Sequence, residues 1–258
     1  MPKVAYEPIS AKDALTRIKD LCSIMVDLAY SSIIFGDKEL ADQVKELRDL
    51  VVHFDYLLTM SLQVAVRDGR DAQATLPLVV LGQASEDIAN FATDISNVLL
   101  KGLAVHQVIK DLSQKVARDL MRGEISEESI LNGYAIKDII EKMNYSIAIF
   151  AVRREGKWTI SPAKDSVIEA GDILLASGSS SGISLLKLLV GGSTEEIAPP
   201  DEEEEDIAEE SITDNIVDYL ISLKDTSEVM VDLAYGAVLY NNKELAQLVS
   251  NMEKRVDT

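Results

Sequence analysis

Two carboxylates four residues apart on a helix share one face, and opposing helices with such pairs can chelate a hard or borderline cation. Glu228 and Asp232 form one such pair. Weakened versions occur at Asp27, whose partner position holds Ser23, and at Glu86, followed by Asn90 and then Asp94. Asp27, Glu86, Glu228 and Asp232 are therefore the candidate metal ligands, with serine and asparagine as weak oxygen donors beside them. The competing reading is a hydrogen-bonded polar seam that fixes helix register. A second chemistry is anion capture. Arg153, Arg154 and Lys157 crowd one short segment, and adjacent arginines can clamp a phosphate through forked N–H donors. The string RREGK equally suits an exposed hairpin turn. The run Gly178–Gly182 (GSSSG) lies between a strand and a helix, where free N–H groups attract anions. It lacks the Gly-Lys-Ser/Thr ending of a nucleotide loop and reads as a helix cap. His53 and His106 have no serine or cysteine nucleophile at a recognisable spacing. No Gly-x-Gly-x-x-Gly fingerprint is present, and the chain reads as non-enzymatic.

The elements that must position these groups follow from periodicity. Leu15, Ile18, Cys22, Met25 and Ala29 alternate steps of three and four, the stripe of an amphipathic helix. Gly36 suits a left-handed helix end and Asp37 an N-cap. A second stripe runs from Leu40 through Val44, Leu47, Val51, Phe54, Leu58 and Leu62 to Ala65. A third passes through Val80, Ala84, Ile88, Phe91, Ile95 and Leu99, with Pro77 expected in its first turn. Three long helices joined by short turns predict an antiparallel bundle over residues 1–104.

Residues 105–192 differ in texture. A short helical run over Val108–Lys115 precedes a strand candidate in VARDLMRG. AIKDIIEKMN reads as a helix, YSIAIFAVRREGKWTIS as two strands around a turn, and KDSVIEAGDILLASGS as a turn and strand. A final helix in SGISLLKLLVGG completes a small α+β domain. Residues 193–211 are acidic, with two prolines, and read as a flexible linker. Residues 212–258 then repeat the opening hairpin: Leu15–Val51 and Leu220–Val256 are identical at 15 of 37 positions, 205 residues apart. No third helix follows in the second copy, so its apolar stripes are expected to pack on the first bundle, of its own or a neighbouring subunit; the alternative is that the chain is the front part of a longer tandem protein. The fold class is therefore α+β multidomain.

The chain has 258 residues and a net charge of −19. Glu195–Glu210 contributes ten acidic residues and no basic one, leaving −9 for the rest. Such an excess is expected to repel phosphate backbones and anionic lipid, so nucleic acid is not an expected partner. A single cysteine, Cys22, excludes an intrachain disulfide framework and fits a reducing cytosol. No leader opens the chain and no apolar run nears the ~18 residues of a bilayer span. A soluble, cytoplasmic protein with no direct membrane insertion is expected.

Two family resemblances bear on function. LKDTSEVMVDLAYGAVLYNNKELA, its first copy, and SEDIANFATDISNVLL resemble the helical module of PhoU-like phosphate-uptake regulators, particularly archaeal ones. YSIAIFAVRREGKWTISPAKDSVIEAGDILLASGS resembles the C-terminal domain of TrkA-type regulators of potassium transport, also called the RCK C-terminal domain. The second resemblance implies a small regulatory ligand, a cation or a cyclic dinucleotide, at or near a homodimer interface. It implies a membrane cation transporter or channel as partner, and regulation of cation transport, potassium above all. Arg153, Arg154 and Lys157 are the ligand contacts offered on that reading. The first resemblance implies a divalent metal on the helices, and an alternative role as a metal-binding accessory of phosphate-uptake regulation.

Overall fold

A computed structural model of the chain describes residues 7–102, 120–194, 226, 229–240 and 242–256. They divide into two compact units, one of residues 1–104 with 218–258 and one of residues 105–217. The run Val108–Lys115, residues 195–211 of the acidic linker and Glu228 lie outside the described residues, while the linker's first two residues, expected to be flexible, belong to a strand.

The first unit opens with α1 (Ala11–Ile34), whose N-cap Ser10 accepts from the Asp13 N–H. Leu15, Ile18, Cys22, Met25 and Ala29 are all buried, as their spacing predicts. Gly36 turns the chain at φ 61°, and the Asp37 carboxylate accepts from the Glu39 and Leu40 N–H groups to start α2 (Lys38–Ala65). Asp68 caps α3 (Gly69–Leu100) in the same way, through Arg70 and Asp71. The repeat rebuilds the first joint: residues 229–239 form α6, and Asn242 caps α7 (Lys243–Val256) through Glu244 and Leu245. Asn242 stands 205 positions after Asp37, so one turn chemistry serves both copies.

The third helix departs from expectation in two respects. It begins two turns earlier, so Pro77 lies inside it. A proline there removes one backbone bond, to the Gln73 carbonyl, and the helix tolerates this because Asp68 caps its start and Pro77 lies on its exposed side. We predict that Pro77→Ala stabilises the first unit by about 2 kcal/mol, the helix-interior cost less the entropy regained by the unfolded chain. A thermal melt followed at 222 nm checks it; a lower Tm contradicts the account. The second departure concerns the face that packs. Gly82, Ser85, Ala89, Ala92 and Ser96 are buried, whereas Val80, Ala84 and Phe91 are exposed. α3 is apolar on most of its circumference, so hydrophobic spacing does not choose its inner face. Small side chains do, by admitting close backbone approach to α1 and α2.

The second unit is a five-stranded antiparallel sheet in the order β3-β2-β4-β1-β5. Its strands are β1 (Leu120–Ile125), β2 (Ile147–Arg154), β3 (Lys157–Ile160), β4 (Ile173–Gly178) and β5 (Gly191–Thr194). Two helices, α4 (Ile136–Met143) and α5 (Ser180–Val190), supply Ile136, Ile139, Met143, Ile183, Leu186 and Val190 to a core shared with Met121, Ile125, Ile149 and Leu174. The GSSSG run caps α5: the Ser179 hydroxyl accepts from the Gly182 N–H. The hairpin turn places Glu155 at φ 49° and Gly156 at φ 80°, the pair of positive angles that a two-residue loop between twisted strands requires. β5 was not legible in the sequence, being four residues of Gly, Gly, Ser and Thr.

Candidate functional site

Successive side chains of a strand point to opposite faces, so Arg153 and Arg154 diverge and do not form one clamp. Arg154 turns to the loop before β4. Its Nε donates to Asp172 Oδ1 at 2.8 Å and its Nη2 to Oδ2 at 2.6 Å. Nη2 also donates to the Val167 carbonyl at 2.8 Å, and Nη1 lies 3.2 Å from Glu169 Oε2. Asp172 is 1% exposed and takes a third hydrogen bond from the Glu169 N–H. A carboxylate so buried is tolerable only when its lone pairs are met, and the forked guanidinium meets them. The hydrogen bond to Asp172 raises the already high basicity of Arg154. Gly171, at φ 86°, donates its N–H to the Ile125 carbonyl, and the Ile125 N–H donates to Asp172 O. Lys137 Nζ reaches Asp165 Oδ1 at 2.6 Å; that bond raises the lysine pKa and lowers the aspartate's. The polar residues of the Asp165–Asp172 segment thus tie a loop onto β1, β2 and α4.

Arg153 lies across the strand pair from Trp158. Its guanidinium carbon and that of Arg122 each stand 5.8 Å from the indole centroid, a range in which ring quadrupole and cation attract. Lys157 is exposed beside the turn, in register with Arg154. Arg122 and Trp158 were not among the residues singled out from the sequence, and Asp172 figured there only as part of the signature string before β4. Asp172 is one acid in an acid-rich chain, and only the fold shows that it is buried.

The first unit gathers a second polar group. Ser85 on α3 accepts a short hydrogen bond from the Tyr235 hydroxyl on α6 and donates to the Leu81 carbonyl. The Cys22 thiol of α1 donates to the Ser85 carbonyl at 3.3 Å. Burial pushes the Cys22 pKa up to about 12 and, through the same cause, raises that of Tyr235. Asp232 pairs with Lys19 Nζ at 2.9 Å. Asn90, where a second carboxylate was sought beside Glu86, accepts from Arg48 Nε at 2.7 Å. Asp27 is half-buried on α1 and Glu86 half-buried on α3. Among the described residues, no three His, Cys, Asp or Glu side chains are placed to hold a metal ion.

Glu86 does act on a neighbour. Asp55 of α2 packs against Gly82, where any Cβ would collide with its carboxylate. Burial, with Glu86 adding to it, raises the Asp55 pKa. A raised carboxyl pKa means that the folded state holds its proton to higher pH than the unfolded state does. The ionised form therefore weighs against folding above the folded pKa, and the penalty vanishes below the ordinary carboxyl value near 3.9. We predict that Asp55→Asn raises Tm at pH 7 and that the gain shrinks as pH falls toward 4. A gain independent of pH across pH 4–7 refutes the assignment.

Comparison with known proteins bears on the second unit. Residues 120–191 match the family model described as the TrkA-C domain. No curated protein matches the chain. Among solved structures, the chain is similar to Streptococcus agalactiae BusR, given as "S. agalactiae BusR in complex with its busAB-promotor DNA", at 17% identity. That likeness covers 66% of this chain and 96% of the other, with a TM-score of 0.26. The matched structure is a protein–DNA complex, and the exclusion of nucleic acid made from net charge is not retained. Total charge is a sum over the chain and does not fix the sign of any one surface. A TM-score this low assigns no DNA contact here. No described helix is long and apolar enough to cross a membrane. The family match is thus confined to residues 120–191, within the second unit, as a TrkA-C domain.

Proposed function

We propose that the chain is a non-enzymatic regulator of cation transport, potassium foremost, in which paired TrkA-C domains sense a small ligand on the cytoplasmic side. The observation that carries this reading is the family match over residues 120–191. Exposed apolar side chains support the pairing: Tyr134 and Val167 sit on adjoining segments, joined by the bridge between Ala135 and Val167. Lys157 is the proposed anion contact, since Arg154 is committed to Asp172 and Arg153 lies on the other face of the hairpin with Trp158. Ligand binding at the pair shifts the population of subunit arrangements only by its differential affinity for them.

A thermal-shift screen of the full chain tests the reading, with potassium against sodium at matched ionic strength, nucleotides, cyclic dinucleotides and divalent cations. A specific ligand at one hundred times its Kd stabilises by about 2.7 kcal/mol, a rise of roughly 5–10 °C for a protein of this size. Lys157→Ala is expected to abolish the response to an anionic ligand. The absence of any shift, with a monomer in sedimentation at micromolar concentration, defeats the proposal.

A further inference from the structure

α3 carries two stripes on opposite sides. The inner one is the row of small residues from Gly82 to Ser96 that meets α1 and α2. The outer one passes through Leu76, Val80, Ala84, Asp87, Phe91, Ile95 and Val98, in steps of four and three, over about 33 Å of helix. Leu76, Val80 and Phe91 are 60%, 56% and 68% exposed. Single exposed apolar residues are ordinary, but several aligned along one helix face mark an interaction surface. Its electrostatics narrow the partner. Between Arg70 and Lys101 the helix has Asp71, Glu86, Asp87 and Asp94 and not one basic residue. Asp87 interrupts the apolar row and Asp94 flanks it, both exposed.

We propose that this outer face of α3 docks a basic amphipathic helix of a protein partner. The partner's apolar residues, three and four apart, pack on Leu76, Val80 and Phe91, and its lysine or arginine side chains meet Asp87 and Asp94. This is helix-on-helix recognition, with burial supplying the affinity and charge the selectivity. Two other occupants fit less well. In an antiparallel pair of α3 helices centred on the row, the two copies of Asp87 crowd the two-fold axis and repel. An anionic lipid surface is repelled by the same carboxylates. The inference goes beyond the sensing role and uses none of its residues.

The test is fluorescence anisotropy of the full chain with a labelled, amidated Leu/Lys amphipathic 18-residue peptide at 150 mM salt. Saturable binding is expected, weakened at least tenfold by Phe91→Asp and by Asp87→Lys. Glu46→Lys, on the exposed side of α2, is expected to leave it within twofold. Phe91 is mostly solvent-exposed, so its variant retains the fold, which circular dichroism checks. No binding, or equal binding by all four proteins, overturns the proposal. So does a fall in sedimenting mass on Phe91→Asp, which makes a second copy the occupant. Phosphatidylcholine vesicle binding that Phe91→Asp abolishes puts lipid in the partner's place and overturns it likewise.

Discussion

Arg154→Ala is expected to destabilise the TrkA-C unit by about 3 kcal/mol, because it leaves the Asp172 carboxylate buried with one N–H partner in place of three donors. The guanidinium is partly solvent-exposed, with 43% of the Arg154 side chain accessible against 1% for Asp172. The cost therefore sits toward the lower end for a broken buried pair, and nearly all of it is the stranded anion. Trp158 is the chain's one tryptophan and lies on β3, so its fluorescence in urea reports this unit. The second arm of the experiment removes both charges. With Arg154→Met and Asp172→Leu together, no ion is left unpaired, and the loss is expected to be smaller than that of Arg154→Ala alone. A change below about 0.5 kcal/mol for the single variant, accompanied by lost ligand response, would return Arg154 to the ligand contacts.

The same pair shows where sequence reasoning stops. Local rules read most elements correctly, because each depends on a few neighbouring residues. The Glu155-Gly156 turn needs two positive φ angles, Ser179 caps α5, and the α1 and α2 stripes repeat every three or four residues. Arg154 belongs to a different class. Its neighbour Arg153 carries the same charge, and alternation along the strand sends one to the Trp158 stack and the other to Asp172, 18 residues away. α3 failed for another reason. Its large apolar residues and its small ones both recur at helical spacing, and close packing selected the small ones. Asn90 and Asp232 were sought as metal donors by their spacing, yet each meets a cation of the protein itself, Arg48 and Lys19. A carboxylate pair on a helix face is a neutral signal until the opposing face is known.

Tyr235→Ala is expected to release the second repeat from the first, at a cost of about 3–5 kcal/mol, the range for deleting a buried aromatic side chain. Tyr235 is 2% exposed, the most buried residue described on α6. Its ring occupies the space beside Ser85, and its hydroxyl ends in the polar group formed by Ser85 and Cys22. A second tie, between Lys19 and Asp232, has the Asp232 side chain 64% exposed. Exposed pairs of this kind contribute at most about 1 kcal/mol and weaken with salt. α7 adds little of its own, since Leu248 is exposed and Leu245 and Val249 only half-buried. The aromatic anchor therefore decides docking. Tyr235→Phe keeps the ring and loses one hydrogen bond, about 1 kcal/mol, and Asp232→Asn is expected to have still less effect. Hydrogen exchange of residues 229–256 reads the outcome: slow in the wild type and Tyr235→Phe, fast in Tyr235→Ala, while the α1 and α2 amides remain protected. If Tyr235→Ala leaves the exchange of 229–256 unchanged, the ring is not what holds the repeat. If α1 and α2 lose protection equally, the helices unfold as one unit, and the repeat is an integral part of the bundle.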